Sequence, residues 1–160
     1  MQRADVAPVL DIDARAFEDM ALTREELLER MRKANTICMS AFAGDALVGY
    51  YIFNTTPLII TVQRFAVDYE CRGQGIGGKM VDRWCGKLHL NGRQRIYIPV
   101  PEVFTDTLNF LAARGFRAER TMHNATKIYG EPVDSIIMCH IYKPTKEELE
   151  SDRKRPEGLD

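Results

Sequence analysis

The spacing of apolar residues divides the chain into segments of helical and of strand period. Val9, Ile12, Ala16 and Phe17 recur at helical spacing and predict a first helix, with Asp5 placed to cap it. A second helix begins at Thr23, where Thr23-Arg24-Glu25-Glu26 has the form of a capping box and Leu27, Leu28 and Met31 supply an apolar stripe. From Thr36 the period changes. Residues 36–43 and 46–54 are rich in apolar and aromatic side chains and meet at Gly44-Asp45, which predicts an antiparallel hairpin with a tight turn. Pro57 interrupts, and a longer strand is expected over 58–68, with 69–71 as a connector. Residues 75–90 are strongly amphipathic. Ile76, Met80, Trp84 and Leu88 stand four apart, Val81 and Cys85 flank them, and Asn91-Gly92 is the expected stop.

A short strand follows over 95–100, then a helix over 105–113 that ends at Arg114-Gly115. Two strands complete the pattern, one from Phe116 and one over 134–142. After Pro144 the chain is mostly Lys, Glu, Asp and Arg, which predicts a frayed tail with one helical turn at 145–149. There is no internal repeat. The early hairpin argues against a purely parallel sheet, and the later strand–helix–strand argues for a mixed one, an α/β (α+β) layering. One domain is expected over residues 1–143, with 144–160 as the tail.

Composition narrows this picture. A chain of 160 residues, 45% apolar and 28% charged, suits one globular domain. A domain of that size buries roughly two-thirds of its unfolded surface and needs no metal or disulfide to fold. The net charge of −1 supplies no global field for nucleic acid. Lys79, Arg83 and Lys87 line one helix face, opposite the apolar stripe, and read as a solvated face. Cys38, Cys71, Cys85 and Cys139 have neither zinc-knuckle nor C-x-x-C spacing and read as free thiols. His89, His123 and His140 are scattered, so no metal is expected. The sequence shows neither an apolar signal core nor a membrane-length apolar run, so a reducing cytoplasm is the expected location.

Candidate chemistry concentrates in Phe65-Ala66-Val67-Asp68-Tyr69-Glu70-Cys71-Arg72-Gly73-Gln74-Gly75-Ile76-Gly77-Gly78. Glycines between a strand and a helix let backbone amides curl inward, and a helix start adds free N–H groups and a positive dipole end. Arg72 adds a fixed positive charge, so the segment suits phosphate. A plain turn and cap is the simplest alternative, but four glycines in six residues behind an arginine exceed what a turn needs. Gly73-x-Gly75-x-x-Gly78 also matches the dinucleotide fingerprint. In that fingerprint, however, the first glycine leaves the strand almost directly, whereas here five residues separate Val67 from Gly73.

Arg72-x-x-Gly75-x-Gly77, placed after Phe65-Ala66-Val67, resembles the GNAT superfamily of acyl-CoA N-acyltransferases. The resemblance covers nearly the whole domain. It includes Arg3-Ala4-Asp5 through Phe17, the hairpin Gly44–Tyr50, and Phe110 to Gly115-Phe116. Arg64 to Val67 and Phe116-Arg117-Ala118 are similar to the bacterial ribosomal-protein-alanine N-acetyltransferase branch. The resemblance implies a mixed, mostly antiparallel sheet of about six to seven strands flanked by four helices. It implies acetyl-CoA as cosubstrate, held by the edge of Phe65, Ala66 and Val67 and by Arg72, Gly73, Gln74, Gly75, Ile76, Gly77 and Gly78. The acetyl carbonyl would then lie near the Phe65–Ala66 backbone, where an amide stabilises the oxyanion as an amine attacks. The acceptor would be a protein amino terminus or a small molecule.

The sequence departs from the superfamily where acid and base are expected. Leu111 stands where a tyrosine often serves as acid, Phe104 where an asparagine often contacts CoA, and Pro99 where the branch carries a glutamate base. The substitutes are Tyr97, on the strand face of Pro99, and Glu102, acting through water; Tyr129 and Tyr142 are further acid candidates, while Asp106 is expected in the first turn of the fourth helix. These departures keep open a second function, a protein that binds acetyl-CoA or CoA with little or no transfer. Glu18, Glu25 and Glu26 could form an acidic mouth for an amine. An exposed last strand would permit homodimer pairing.

Overall fold

Strands with two apolar faces need helices on both sides, and the order of elements supplies them. The computed structural model describes residues 1–90 and 92–153. The helices are α1 (Val6–Phe17), α2 (Arg24–Arg32), α3 (Ile76–Leu90), α4 (Thr105–Ala113) and α5 (Lys146–Arg153). The strands are β1 (Thr36–Ala43), β2 (Ala46–Thr55), β3 (Ile59–Val67), β4 (Arg95–Pro101), β5 (Arg117–Ile128) and β6 (Glu131–Ile141). They form one six-stranded sheet in the order β1-β2-β3-β4-β6-β5. Every neighbouring pair is antiparallel except β3 with β4. The expected mixed, mostly antiparallel sheet is therefore present.

The core divides between the two faces. On one, Met80, Val81, Trp84 and Leu88 of α3 and Leu111 of α4 pack with Tyr51, Phe53, Ile60 and Val62. On the other, Val6, Val9 and Ile12 of α1 and Leu27 of α2 cover Tyr50, Ile52 and Ala66. Each fully buried large apolar side chain contributes about 1.5–3 kcal/mol. The capping box of α2 forms as its sequence predicts: Glu26 N donates to Thr23 Oγ1 at 3.2 Å, and Thr23 N donates to Glu26 Oε2 at 2.8 Å.

Three expectations are corrected. Asp5 does not cap α1 with its side chain, because it is itself in helical conformation at φ −80° and ψ −15°. Its carboxylate accepts from Gln2 N at 2.7 Å and Ser40 Oγ at 3.0 Å, tying the amino terminus to β1. The last strand, β6, is not at an edge; it lies between β4 and β5. The edge on that side is β5, whose exposed Arg117, Glu119, Arg120, His123 and Lys127 give it the charged character that discourages pairing. The tail begins with the eight-residue helix α5 rather than a single turn. Asn91, half of the expected stop of α3, and residues 154–160 of the tail lie outside the described residues.

Candidate active site

The site begins where β3 and β4 part. They pair only from Ile59 with Arg95 to Thr61 with Tyr97. Two features accompany the end of the pairing. Glu102 N donates to Asp134 O, on the hairpin arm paired with β4, at 2.9 Å. Backbone groups alternate sides along a strand, so those of residues 95, 97, 99 and 101 point towards β3. Pro99 and Pro101 thus lack an N–H on the side that faces β3, and the ladder cannot continue. The second feature is a register shift between Ile52 and Phe53 that leaves Gln63 as an extra residue in β3. Before it, Ile60 and Val62 face the α3 layer; after it, Phe65 and Val67 do, while Ala66 turns under α1.

Asp68 N donates to Val48 O at 2.8 Å, towards β2. By the same alternation the amides of Phe65 and Val67 point into the opening. A cleft of ≈ 740 Å³ occupies the opening. One wall is Phe65, Ala66 and Val67; the floor is Arg72, Gly73, Gly75, Ile76, Gly77 and Gly78; the opposite wall is Val103 to Thr107, Phe110 and Arg114. The sequence-predicted cofactor residues therefore converge on one cavity, with the exception of Gln74, which is exposed beside it.

Local geometry explains the loop. Gly75 has φ +82°, which an L side chain rarely adopts, and α3 starts at the next residue. An added Cβ at Gly78 would collide with the Arg114 guanidinium, so α4 delivers a second cation to the start of α3 through that glycine. Arg114 also lies over the Phe110 ring at 4.4 Å. Arg72 Nε donates to Val67 O at 3.2 Å. The cleft therefore carries strand-edge amides at one end and, at the other, a helix N-terminus with two arginines, an arrangement that suits an extended anion.

A second pocket of ≈ 330 Å³ adjoins the cleft and shares Phe17, Phe65, Phe104 and Thr107 with it. Its other walls include Met20, Ile98, Pro99, Val100, Met122 and Ala125. Its shape depends on a buried network that the sequence reading missed. Asp13, fully buried, accepts from the Tyr50 hydroxyl, from Arg64 Nε at 2.5 Å and Nη2 at 3.0 Å, and from Leu22 N at 2.6 Å. Arg64 Nη2 also donates to Met20 O at 2.5 Å. Burial, reinforced by the Asp13 charge, pushes the Tyr50 hydroxyl far up. Burial opposes the charge on Arg64, but its bonds to Asp13 and Tyr50 outweigh that, and its pKa is raised. The result is a neutral phenol and a buried ion pair fastening residues 20–22 to β2 and β3. A carboxylate on the apolar face of α1, beside Val9 and Ile12, is the signal that could have revealed it.

The tip of the β5–β6 hairpin meets the turn after α1. Tyr129 N donates to Asp19 Oδ2 and Tyr129 Oη to Glu18 Oε2, both at 2.6 Å. The Glu18 hydrogen bond raises the Tyr129 pKa. Thr126 Oγ1 lies 3.6 Å from Met20 Sδ. Glu18 thus accepts from Tyr129, and Glu26 accepts from its own cap.

The catalytic candidates fall elsewhere. The Tyr97 hydroxyl accepts from Arg95 Nη1 at 3.1 Å and lines neither cavity. Glu102 lies exposed in the turn before α4 and likewise lines neither. Leu111 is fully buried in the core, and it is Phe110 that faces the cleft. Among the described residues no group of three or more His, Cys, Asp or Glu could hold a metal ion. Among them, too, no helix is long and apolar enough to cross a membrane.

A six-stranded sheet that splays between its two parallel strands, beside a glycine loop opening a helix, defines the acetyltransferase class of α/β fold. Residues 5–121 match the acetyltransferase (GNAT) domain, and the chain belongs to that family. No curated protein matches the sequence. The fold is similar to that of the ribosomal-protein-S18-alanine N-acetyltransferase from Escherichia coli, with TM-score 0.79 and 15% identity over 93% of this chain and 95% of that one. It is similar also to Ard1 from Thermoplasma volcanium, with TM-score 0.78 and 18% identity over 90% and 95%. A GNAT family acetyltransferase from Elizabethkingia anophelis, with acetyl-CoA bound, aligns with TM-score 0.65 and 18% identity over 75% and 84%. At these identities the likeness concerns the fold.

Proposed function

We propose that this protein is an N-acetyltransferase that moves the acetyl group of acetyl-CoA to a primary amine, on a protein amino terminus or a small molecule. The observation that carries the reading is the cleft itself. It joins the splayed edge of β3 to the glycine-lined start of α3, and Arg72 and Arg114 both line it. The bound acetyl-CoA of the Elizabethkingia anophelis acetyltransferase supports the same choice of cosubstrate.

In this reading the pyrophosphate rests on the amides of Gly75, Gly77 and Gly78, with Arg72 and Arg114 supplying charge. The pantetheine arm pairs with the Phe65 and Val67 edge as an added strand would. The amine nitrogen attacks the thioester carbonyl carbon. The Phe65 amide donates to the developing oxyanion, the C–S bond breaks, and the thiolate leaves as CoA. Tyr97 and Glu102 remain the candidates for moving protons, and from outside the cavities they act through water. The apolar pocket disfavours the ammonium form, so burial itself helps to supply the free amine.

Calorimetric titration with acetyl-CoA, with NAD as control, tests the reading. Binding of acetyl-CoA alone is expected, weakened at least about tenfold in Arg72→Ala, which removes a charge-assisted contact, and more in Gly75→Glu, which adds bulk and negative charge. Unchanged affinity in both folded variants would remove the site. Binding without acetylation of any amine would leave a CoA-binding protein.

A further inference from the structure

We propose that the smaller pocket is the acceptor site and that it takes a small apolar monoamine: a primary amine on one hydrophobic side chain, without a second positive charge. This deepens the reading above and rests on acetyl-CoA occupying the larger cleft. Phe17, Phe65, Phe104 and Thr107 line both cavities, which makes the two neighbours across these four side chains. The pocket, ≈ 330 Å³, has room for one large side chain and its amine. Its walls at Ile98, Val100, Met122 and Ala125 reward an apolar body, whose surface leaves water on entering.

Charge sets the second half of the specificity. Among the described residues no carboxylate lines this pocket; its one charged residue is Arg64. Four acids bonded to its lining residues or next to them in the chain are already engaged. Asp13 is held by Arg64, Tyr50 and Leu22. Glu18 and Asp19 are held by Tyr129, and Asp134 by Asn124 and His123. A second ammonium, as in a polyamine or on a lysine side chain, would lose its water there and gain no counter-ion. Size is limited from outside as well. The contacts of Met20 with Thr126 and of Glu18 and Asp19 with Tyr129 bridge the turn after α1 to the β5–β6 hairpin, and Met20 and Thr126 both line the pocket. A single side chain fits beneath that bridge, whereas a polypeptide would have to pass through it.

Initial rates with acetyl-CoA decide the matter for phenylalaninamide, methioninamide, lysinamide, spermidine and a hexapeptide beginning with phenylalanine. The two apolar amides should exceed lysinamide and spermidine in kcat/KM by at least about tenfold. The hexapeptide should do no better than phenylalaninamide. Ala125→Trp, which fills the pocket from an exposed strand, should raise the KM for phenylalaninamide about tenfold and leave that for acetyl-CoA unchanged. Met122→Glu should move preference towards lysinamide. A preference of the unaltered protein for the polycations or the hexapeptide, or indifference to both substitutions, would overturn the proposal. If no amine is acetylated, titrating N-acetylphenylalaninamide and N-acetyllysinamide into the protein, with and without CoA, reads the pocket directly. Tighter binding of the phenylalanine compound upholds the pocket even where transfer fails. Equal or reversed affinity overturns it.

Discussion

The two cavities that meet at Phe65 are built by opposite means. The larger is made of backbone: strand-edge amides, a glycine loop and a helix start, with Arg72 and Arg114 added. The smaller is made of side chains held from a distance, by the Asp13–Arg64 network on one side and the bulged β5–β6 hairpin on the other. A backbone site needs one contiguous segment and tolerates change elsewhere. A side-chain site assembled from α1, β3, β4 and β5 depends on every piece that positions it. Substitutions in the two regions should therefore fail differently, the first in ligand binding and the second in stability.

Asp13→Ala should produce the largest effect. It leaves the Arg64 guanidinium, mostly buried, without its carboxylate and Leu22 N without an acceptor. Removing one partner of a buried ion pair costs about 3–5 kcal/mol. Urea unfolding should show a lower midpoint with little change in slope. A midpoint shift worth under about 1 kcal/mol would mean that the network does not hold the smaller pocket, and the contrast between the cavities would collapse.

Arg114→Ala tests the larger cavity at intermediate size. Its guanidinium rests on Gly78 and the Phe110 ring at the helix start. Charge-assisted hydrogen bonds to phosphate contribute about 1.5–3 kcal/mol, so acetyl-CoA should bind roughly ten- to a hundredfold more weakly. The unfolding midpoint should hardly move, since Arg114 engages in no ion pair among the described residues. Equal losses of stability and affinity would show that the cleft, too, is held together by its side chains.

The same contrast explains what the sequence disclosed. The glycine segment was legible because its chemistry is local: spacing, strand before, helix after. Element boundaries followed for the same reason, and α4 spans Thr105–Ala113 as its pattern predicts. The bulge at Gln63 was not legible, because only pairing with β2 reveals that Phe65 and Val67 have changed faces. Pro99 reads in sequence as a lost base. In the fold its missing N–H faces β3 and helps to open the cleft. Arg114 reads as the end of a helix, and only the packing of α4 on α3 brings it to Gly78.

The smallest expected effect concerns the hairpin wall of the smaller pocket. Between Met122 and Thr126 the β5–β6 register shifts, and Asn124 takes φ +51°. Asp134 pins this bulge, accepting from Asn124 N at 2.8 Å and meeting His123 Nδ1 at 2.9 Å. The Asn124 bond, then the His123 contact, lowers the Asp134 pKa below its ordinary value. A carboxyl whose folded pKa is depressed stabilises the folded hairpin above the ordinary carboxylate range. That contribution is lost as pH falls through the depressed value. The Asn124 amide resonance, followed by NMR from neutral to acidic pH, should therefore hold its shift through the ordinary carboxylate range and move below it. Asp134→Asn should abolish that step. Because Met122, Ala125 and Thr126 line the acceptor pocket, the same variant should raise the KM for the amine and leave acetyl-CoA affinity unchanged. If acetyl-CoA affinity fell instead, the two cavities would be coupled through the sheet, and their separate construction would not translate into separate function.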